Sequence, residues 1–479
     1  MTKHMVDIGV IGLGVMGQNL VLNMNDHGYR VAVHNRTVSR LEEFLNGPAR
    51  DTGVIGVLSL RELASVLRRP RRVLLMVKAG RAVDEMIDLL LPHLHPGDVL
   101  MDGGNSHFRD TMRRTADLSG RGFLYLGVGI SGGEHGARHG PSIMPGGSPG
   151  AWPRVRGILQ GIAARTADGT PCCDWVGENG AGHYVKMVHN GIEYSEMQLL
   201  CEAYHLMKVG IGLTYEEMHH AFSRWNRGPL EGYLVEITRD ILARKDADGT
   251  PLVEKILDVA GQKGTGGWTG ISSLELGVPL GMIGEAVYAR FLSSLKNERV
   301  EASRRLKEPV RMRVTPKRRL LGDLPKALLA SRVASYAQGF MLMRKAAAEY
   351  GWNLDFGRIA HLWRGGCIIR SALLEKMKEA FARNPLLPNL LLDPHFRRVL
   401  GRCRAAWRRV VTEAIGQGIP APVFSAGLAF YDGYRTARLP AGLLQAQRDY
   451  FGAHTYERVD RPRGEFFHTE WKVRRQKVK

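Results

Sequence analysis

"VDIGVIGLGVMGQNL" (residues 6–20) decides how the first third of this chain folds. Residues 6–12 are a short apolar run rich in β-branched residues, which predicts a strand. Gly12, Gly14 and Gly17 follow at G-x-G-x-x-G spacing, and the next residues have helical periodicity. In this context the three glycines serve, in turn, a tight turn, close approach of a pyrophosphate to the backbone, and close helix–strand packing. The free N–H groups at the helix start then face the phosphates. The stretch predicts a dinucleotide site.

Outward from it the alternation continues. "YRVAVHN" (29–35), "RVLLMVK" (72–78), "DVLMDGG" (98–104) and "FLYLGVGIS" (123–131) read as strands, with helices at 81–94 and 108–118. Apolar strands separated by helices predict a Rossmann-type α/β domain with a parallel sheet covered on both faces. The second strand ends in Asn35, Arg36 and Thr37, with none of the carboxylates that accept from the 2′-hydroxyl of NAD. A guanidinium suits a 2′-phosphate, so NADP is favoured. "GGNS" (103–106) and "SGGEHGARHG" (131–140) each close a strand, where open parallel sheets bind ligands, and Ser131 with its neighbouring amides could hold an oxyanion.

After the glycine-rich break "WVGENGAGH" (175–183) strand signals nearly vanish. Helical patterns follow at 183–209, 214–225, 228–245, 283–306, 328–350 and 368–383, and from about Pro440 the chain turns irregular and aromatic. This divides the chain into a cofactor-binding domain (1–180), a large all-α domain (181–437) and a C-terminal tail (438–479). The second region opens with "VKMVHNGIEY" (185–194). Lys186, Asn190 and Glu193 stand at i, i+4 and i+7 on one helix face, with Val185, Val188 and Ile192 roughly opposite. Two readings compete. The pair is a structural salt bridge, or Lys186 is a base whose pKa desolvation lowers and Glu193 an acid whose pKa it raises. A position at the junction of two domains, where substrates sit, favours the second.

The whole chain sets outer bounds. Its 479 residues, 44% hydrophobic and 24% charged, are those of an ordinary globular protein of several domains. No stretch approaches the roughly 18 apolar residues of a membrane span, and the N-terminus runs almost directly into a strand, so a cytoplasmic protein without membrane contact is expected. Five cysteines, none in C-x-x-C spacing, predict reduced thiols and no zinc or other metal site, with Cys172 and Cys173 in the core. Lys and Arg number 67 against 47 acidic residues, a formal charge of +20. The basic runs 67–72, 301–319 and 471–479 read as solvated surface or loop and a loose end, dispersed rather than clustered with aromatics. That argues against nucleic acid and is compatible with anionic small molecules.

Together "GLGVMG", "NRT", "VKAG", "GGNS", "ISGGEHGAR", "GHYVKMVHNGIEY", "AGQKGTGGWT", "RFLSSLKNER", "YAQGFMLMRKA", "WRGGCIIRS" and "QAQRDYFGAHTYER" resemble the 6-phosphogluconate dehydrogenase family over essentially the whole chain. Shorter β-hydroxyacid dehydrogenases share the first and fifth of these elements, but not the long helical domain or the tail. The resemblance implies NADP-dependent oxidative decarboxylation of 6-phosphogluconate to ribulose 5-phosphate, a step of the pentose phosphate pathway and of gluconate utilization. It places Gly12, Leu13, Gly14, Val15, Met16 and Gly17 at the NADP pyrophosphate and Asn35, Arg36 and Thr37 at the adenosine end. Val77, Lys78 and Ala79 would lie along the cofactor, and Asn105 would touch cofactor and substrate. Ser131, Gly132, Gly133, His189, Asn190 and Tyr194 would line the sugar acid, with Lys263 and Arg290 at its phosphate. Lys186 would act as base and Glu193 as acid. Homodimers of the family exchange tails, so Arg448 and His454 would complete the neighbour's site. The chain departs from the family pattern at Ile130, His135 and Ser195–Glu196, none of them an assigned catalytic position.

Overall fold

Central strands rich in Val, Ile and Leu and buried on both faces, with shorter strands at the edges, assemble an eight-stranded sheet in the computed structural model, which describes residues 5–261, 264–307 and 315–471. The strands are β1 (Ile8–Ile11), β2 (Val31–His34), β3 (Ile55–Gly56), β4 (Arg72–Leu75), β5 (Val99–Asp102), β6 (Leu124–Ser131), β7 (Ser142–Gly147) and β8 (Gly177–Glu178). Their order is β3-β2-β1-β4-β5-β6-β7-β8, parallel from β3 through β6. Alternate residues feed two cores: Val10, Val33, Leu74 and Met101 on one face, Ile11, Ala32, Leu75 and Leu100 on the other. Strand order reverses between β1 and β4, and such a switch point opens a crevice at the strand ends.

The expectation of a wholly parallel sheet needs one correction. β7 runs antiparallel to β6, pairing Ile130 with Ile143 and Ser131 with Ser142, and β8 runs parallel to β7. "SIMPGG" carries a proline and two glycines, which hid it as a strand. The buried Cys172 and Cys173 lie beside it, as expected.

Beyond the sheet the chain is helical. The central helix Ala181–His205 continues into a π-helical turn, Leu206–Ile211, that Gly212 ends. Every residue from Ala181 to Ile192 is buried, because the helix packs on β6 and β7 and against the helices Thr265–Glu275, Gly281–Ser294 and Lys317–Tyr350. It has no solvent face in this half, so its polar residues are enclosed as well. The pattern at 283–306 is two helices, Gly281–Ser294 and Lys296–Arg305, because Leu295 leaves helical geometry. The pattern at 328–350 starts eleven residues earlier, at Lys317, and contains Pro325. Arg71, expected in a solvated run, is buried and bonded to Asp98 through its backbone N–H (2.7 Å) and guanidinium (3.2 Å).

The chain contacts divide it into a body up to Leu428 and a smaller unit from Ala429. The smaller unit is less irregular than its sequence suggests. It contains the helix Ala441–Gly452 and a bridge between Tyr456 and Phe467. Asp449, fully buried, gathers it by accepting from Thr455 N, Thr469 N and Trp471 Nε1 and pairing with His468. No helix of the described residues is long and apolar enough to cross a membrane.

Candidate active site

The crevice beyond β1 and β4 is shaped by absent side chains. A Cβ on Gly12 would lie 2.4 Å from Met76 O, and its φ of +104° suits glycine; one on Gly17 would lie 2.1 Å from Gly12 O. Above Gly14 there is nothing within 4 Å. The turn, the close packing and the open approach that a pyrophosphate needs are therefore all present, and the chain fits a dinucleotide. Asn35 braces this loop: its Oδ1 accepts from Leu13 N (3.1 Å) and its Nδ2 donates to Thr37 O (2.9 Å). Gly14, Val15, Arg36, Thr37 and Lys78 are exposed along the crevice, and Met16, Val77 and Ala79 are half-buried. Asn105 stands exposed in the loop after β5.

The central helix supplies the second wall. Lys186 is buried, and burial pushes its pKa below the ordinary lysine value while the carboxylate of Glu193 opposes the shift. Burial raises Glu193 against the pull of Lys186 and Arg290. Among the described residues no ion pair joins the two; the buried ion pair of this helix is Glu196 with Arg332, at 3.1 Å. Glu193 instead stands 3.7 Å from Nδ1 of His189.

His189 is fully buried, and burial, then Lys186, hold its pKa far below normal, so the ring is neutral. Its Nε2 accepts from Ser131 Oγ (3.2 Å) and its Nδ1–H donates to Asn190 Oδ1 (3.1 Å). Asn190 Nδ2 donates in turn to Thr265 Oγ1 (3.1 Å). One polar chain thus ties the end of β6 to the central helix and to the helix Thr265–Glu275. Gly132 and Gly133 turn out of β6 at φ +122° and +60°. Tyr194 is buried, with the Arg290 guanidinium 3.7 Å from its ring centroid, and Arg290 also donates to Gly261 O.

Lys186, His189, Asn190, Glu193, Tyr194, Ser131 and Arg290 are therefore linked through one face of the central helix. Lys263 lies outside the described residues. Arg448 and His454 belong to the smaller unit, where both are exposed and Arg448 donates to Gln445. The sequence did not single out Thr265, whose only signal is a hydroxyl one residue after the positive-φ Gly264. Nor did it single out Trp363, packed edge-on against His189 at 5.7 Å.

Residues 7–177 match the model of the NAD binding domain of 6-phosphogluconate dehydrogenase, and residues 182–471 match the model of that enzyme's C-terminal domain. The decarboxylating 6-phosphogluconate dehydrogenases of Mus musculus and Homo sapiens are each 58% identical over 466 residues, 97% of this chain and 96% of theirs. That of Haemophilus ducreyi is 57% identical over 465 residues, with the same coverage. A Plasmodium falciparum 6-phosphogluconate dehydrogenase, solved apo, with NADP+ and with 6-phosphogluconate, superposes with a TM-score of 0.94 at 41% identity, covering 97% of this chain and all of that one.

Proposed function

We infer that this chain, which belongs to the 6-phosphogluconate dehydrogenase family, oxidises and decarboxylates 6-phospho-D-gluconate to D-ribulose 5-phosphate and CO2 while reducing NADP to NADPH. The residue roles are our own reading. The observation that carries them is a buried lysine that has no ion-pair partner among the described residues, on the helix face that holds a mostly buried glutamate.

Bound NADP supplies the hydride acceptor. Residues 12–17 would hold its pyrophosphate, Asn35, Arg36 and Thr37 its adenosine end, and 77–79 its flank. Neutral Lys186 takes the proton of the substrate's C3 hydroxyl as hydride leaves C3. The electrons of the breaking C–CO2 bond move toward the new C3 carbonyl, and protonated Lys186, bonded to that oxygen, stabilises the enolate. Glu193, whose hold on a proton burial strengthens, in its acid form then gives that proton to C1 of the product enediol. Ser131, Gly132, Gly133, His189, Asn190 and Tyr194 orient the sugar acid, and Lys263 and Arg290 bind its phosphate, with Asn105 between cofactor and substrate.

The active form is a homodimer in which Arg448 and His454 reach the partner's site. What supports this is unpartnered apolar surface: a groove of 580 Å³ lined by Trp268, Ile271, Leu274, Tyr288 and Phe291, and exposed Leu443, Leu444 and Phe451 on the smaller unit. Residues 1–180 bind the cofactor, 181–437 the substrate and the partner, and 438–479 exchange. A cytoplasmic location is supported by five free cysteines. The assay is absorbance of NADPH with 6-phosphogluconate, alongside NAD and simple 3-hydroxyacids, with CO2 measured in parallel. Equal NADPH and CO2 from 6-phosphogluconate is expected. Turnover of a 3-hydroxyacid without CO2, and none of 6-phosphogluconate, would replace this reading with that of another hydroxyacid dehydrogenase.

A further inference from the structure

We infer that His183, one helical turn before Lys186, is a positioning residue that locks the catalytic lysine to the loop carrying Asn105, an inference resting on the roles proposed above. His183 is buried on the same helix face as Lys186. Its Nε2–H donates to the backbone carbonyl of Asp102, the last residue of β5, at 3.1 Å, and its Nδ1 accepts from Thr111 Oγ1 at 2.6 Å. Both ring nitrogens are thereby used by one neutral tautomer, and burial lowers the pKa of the ring in the same sense.

Asp102 holds the other side of the junction. Its fully buried carboxylate accepts from Gly104 N (3.0 Å), Ser106 Oγ (2.6 Å), Tyr125 OH (3.2 Å) and Arg114 Nη1 (3.4 Å). Arg114 is anchored in turn on Asp84 (2.7 Å) and on the Gly80 carbonyl (3.0 Å). One residue thus grips the helix with its backbone and the 103–106 loop with its side chain. Asn105 sits between the two clamped positions, Gly104 and Ser106.

The strand beside the helix is bare where the two side chains enter. A Cβ on Gly127 would fall 2.7 Å from His183 Nδ1, and one on Gly129 would fall 2.5 Å from Lys186 Cβ. Gly127 and Gly129 share a face of β6, so His183 and Lys186 occupy adjacent notches of one surface. The helix cannot slide or turn at Lys186 without breaking the bond at His183. Reacting atoms must be held about 3–3.5 Å apart, and a displacement of about 1 Å can cost about 100-fold in rate. Nothing in this chain of contacts requires His183 to touch substrate.

The test uses the full-length enzyme and 6-phosphogluconate carrying deuterium at C3. His183→Leu should lower kcat by about 30- to 100-fold, leave KM for 6-phosphogluconate within about threefold, and raise the primary isotope effect on kcat as hydride transfer becomes limiting. His183→Gln, whose amide nitrogen reaches about as far as Nε2, should recover to within about fivefold of the parent enzyme. His183→Asn, one methylene shorter, should not. Equal kcat for the Gln and Asn variants would overturn the proposal, including in the case that the Leu variant fails to fold. So would folded variants that lose stability but keep kcat and the isotope effect of the parent, the behaviour of a merely structural histidine. A parent enzyme inactive on 6-phosphogluconate would instead reject the functional reading itself.

Discussion

Lys186 and Glu193 are coupled by charge without touching as an ion pair, and this gives their pH behaviour a sign. Burial lowers Lys186, and the negative charge of Glu193 works against that shift. In the proposed mechanism oxidation needs the neutral amine, so its rate should rise with pH as Lys186 loses its proton. Glu193→Gln removes the opposing charge and lowers Lys186 further. The acid limb of the hydride-transfer rate should therefore move to lower pH, while tritium uptake from water at C1 of ribulose 5-phosphate slows. An unmoved acid limb would mean that the carboxylate does not act on the lysine. A second residue-scale prediction concerns Arg36, exposed where β2 ends. Arg36→Ala should weaken NADP by about 1.5–3 kcal/mol, the value of hydrogen bonds to a charged group, and NAD far less; equal weakening in titrations with both would reduce Arg36 to a turn residue. These residues were legible because their signals are local: three glycines in a turn, a missing carboxylate, a seven-residue helix repeat. Thr265 and His183 were not, because their partners, Asn190 and Asp102, lie 75 and 81 positions away.

Elements were legible where one period dominated. β1, β2, β4, β5 and β6 were, as was the start of the central helix. β7 was not, since its proline and glycines serve close packing: a Cβ on Gly146 would lie 2.4 Å from Gly182 N. Nor was the division at Leu295, where the apolar spacing runs on although the backbone does not. The helix–sheet seam makes a prediction of its own. Gly129→Ala puts a methyl against Lys186 Cβ and the Gly182 carbonyl. Overpacking of this kind costs about 1–3 kcal/mol, so the variant should melt earlier and lose activity together; an unchanged melting temperature would show that the seam yields. At the other end of the helix, Glu202 is buried and accepts from Val423 N (2.9 Å) and Phe424 N (3.0 Å), capping the helix Pro422–Tyr434. Burial raises its pKa from 4.5 to about 7 against those hydrogen bonds. The folded protein thus binds this proton more tightly than the unfolded chain. The stabilisation is complete below 4.5 and is lost as pH rises to about 7. Glu202→Gln cannot titrate, so its melting temperature relative to the parent should rise between about pH 5 and pH 8. A difference independent of pH would contradict the assignment.

At the scale of the molecule, the basic balance of +20 suits the two anionic ligands of the proposed reaction, NADP and a phosphorylated sugar acid. The tail was legible in part: its aromatic residues announced a surface in need of cover, but its helix and the Asp449 centre were hidden because the sequence there has no long apolar period. The proposed exchange of tails predicts complementation. Mixing Arg448→Ala with Lys186→Ala subunits should yield hybrid dimers with one intact site and regain part of the parent activity. Hybrids that form and stay inactive would mean that each site is built from one chain. The central claim, that the enclosed polar face of the central helix carries the chemistry, has a more direct test. It is the rate of NADPH formation from 6-phosphogluconate by purified Lys186→Met, with melting temperature and NADP binding matched to the parent enzyme. Methionine keeps the length and removes the base, so the rate should fall by at least the roughly 10²- to 10⁴-fold that a positioned acid–base group supplies. A folded, NADP-binding variant that keeps most of the parent rate would show that Lys186 is a buried structural residue, and the proposed mechanism would be wrong.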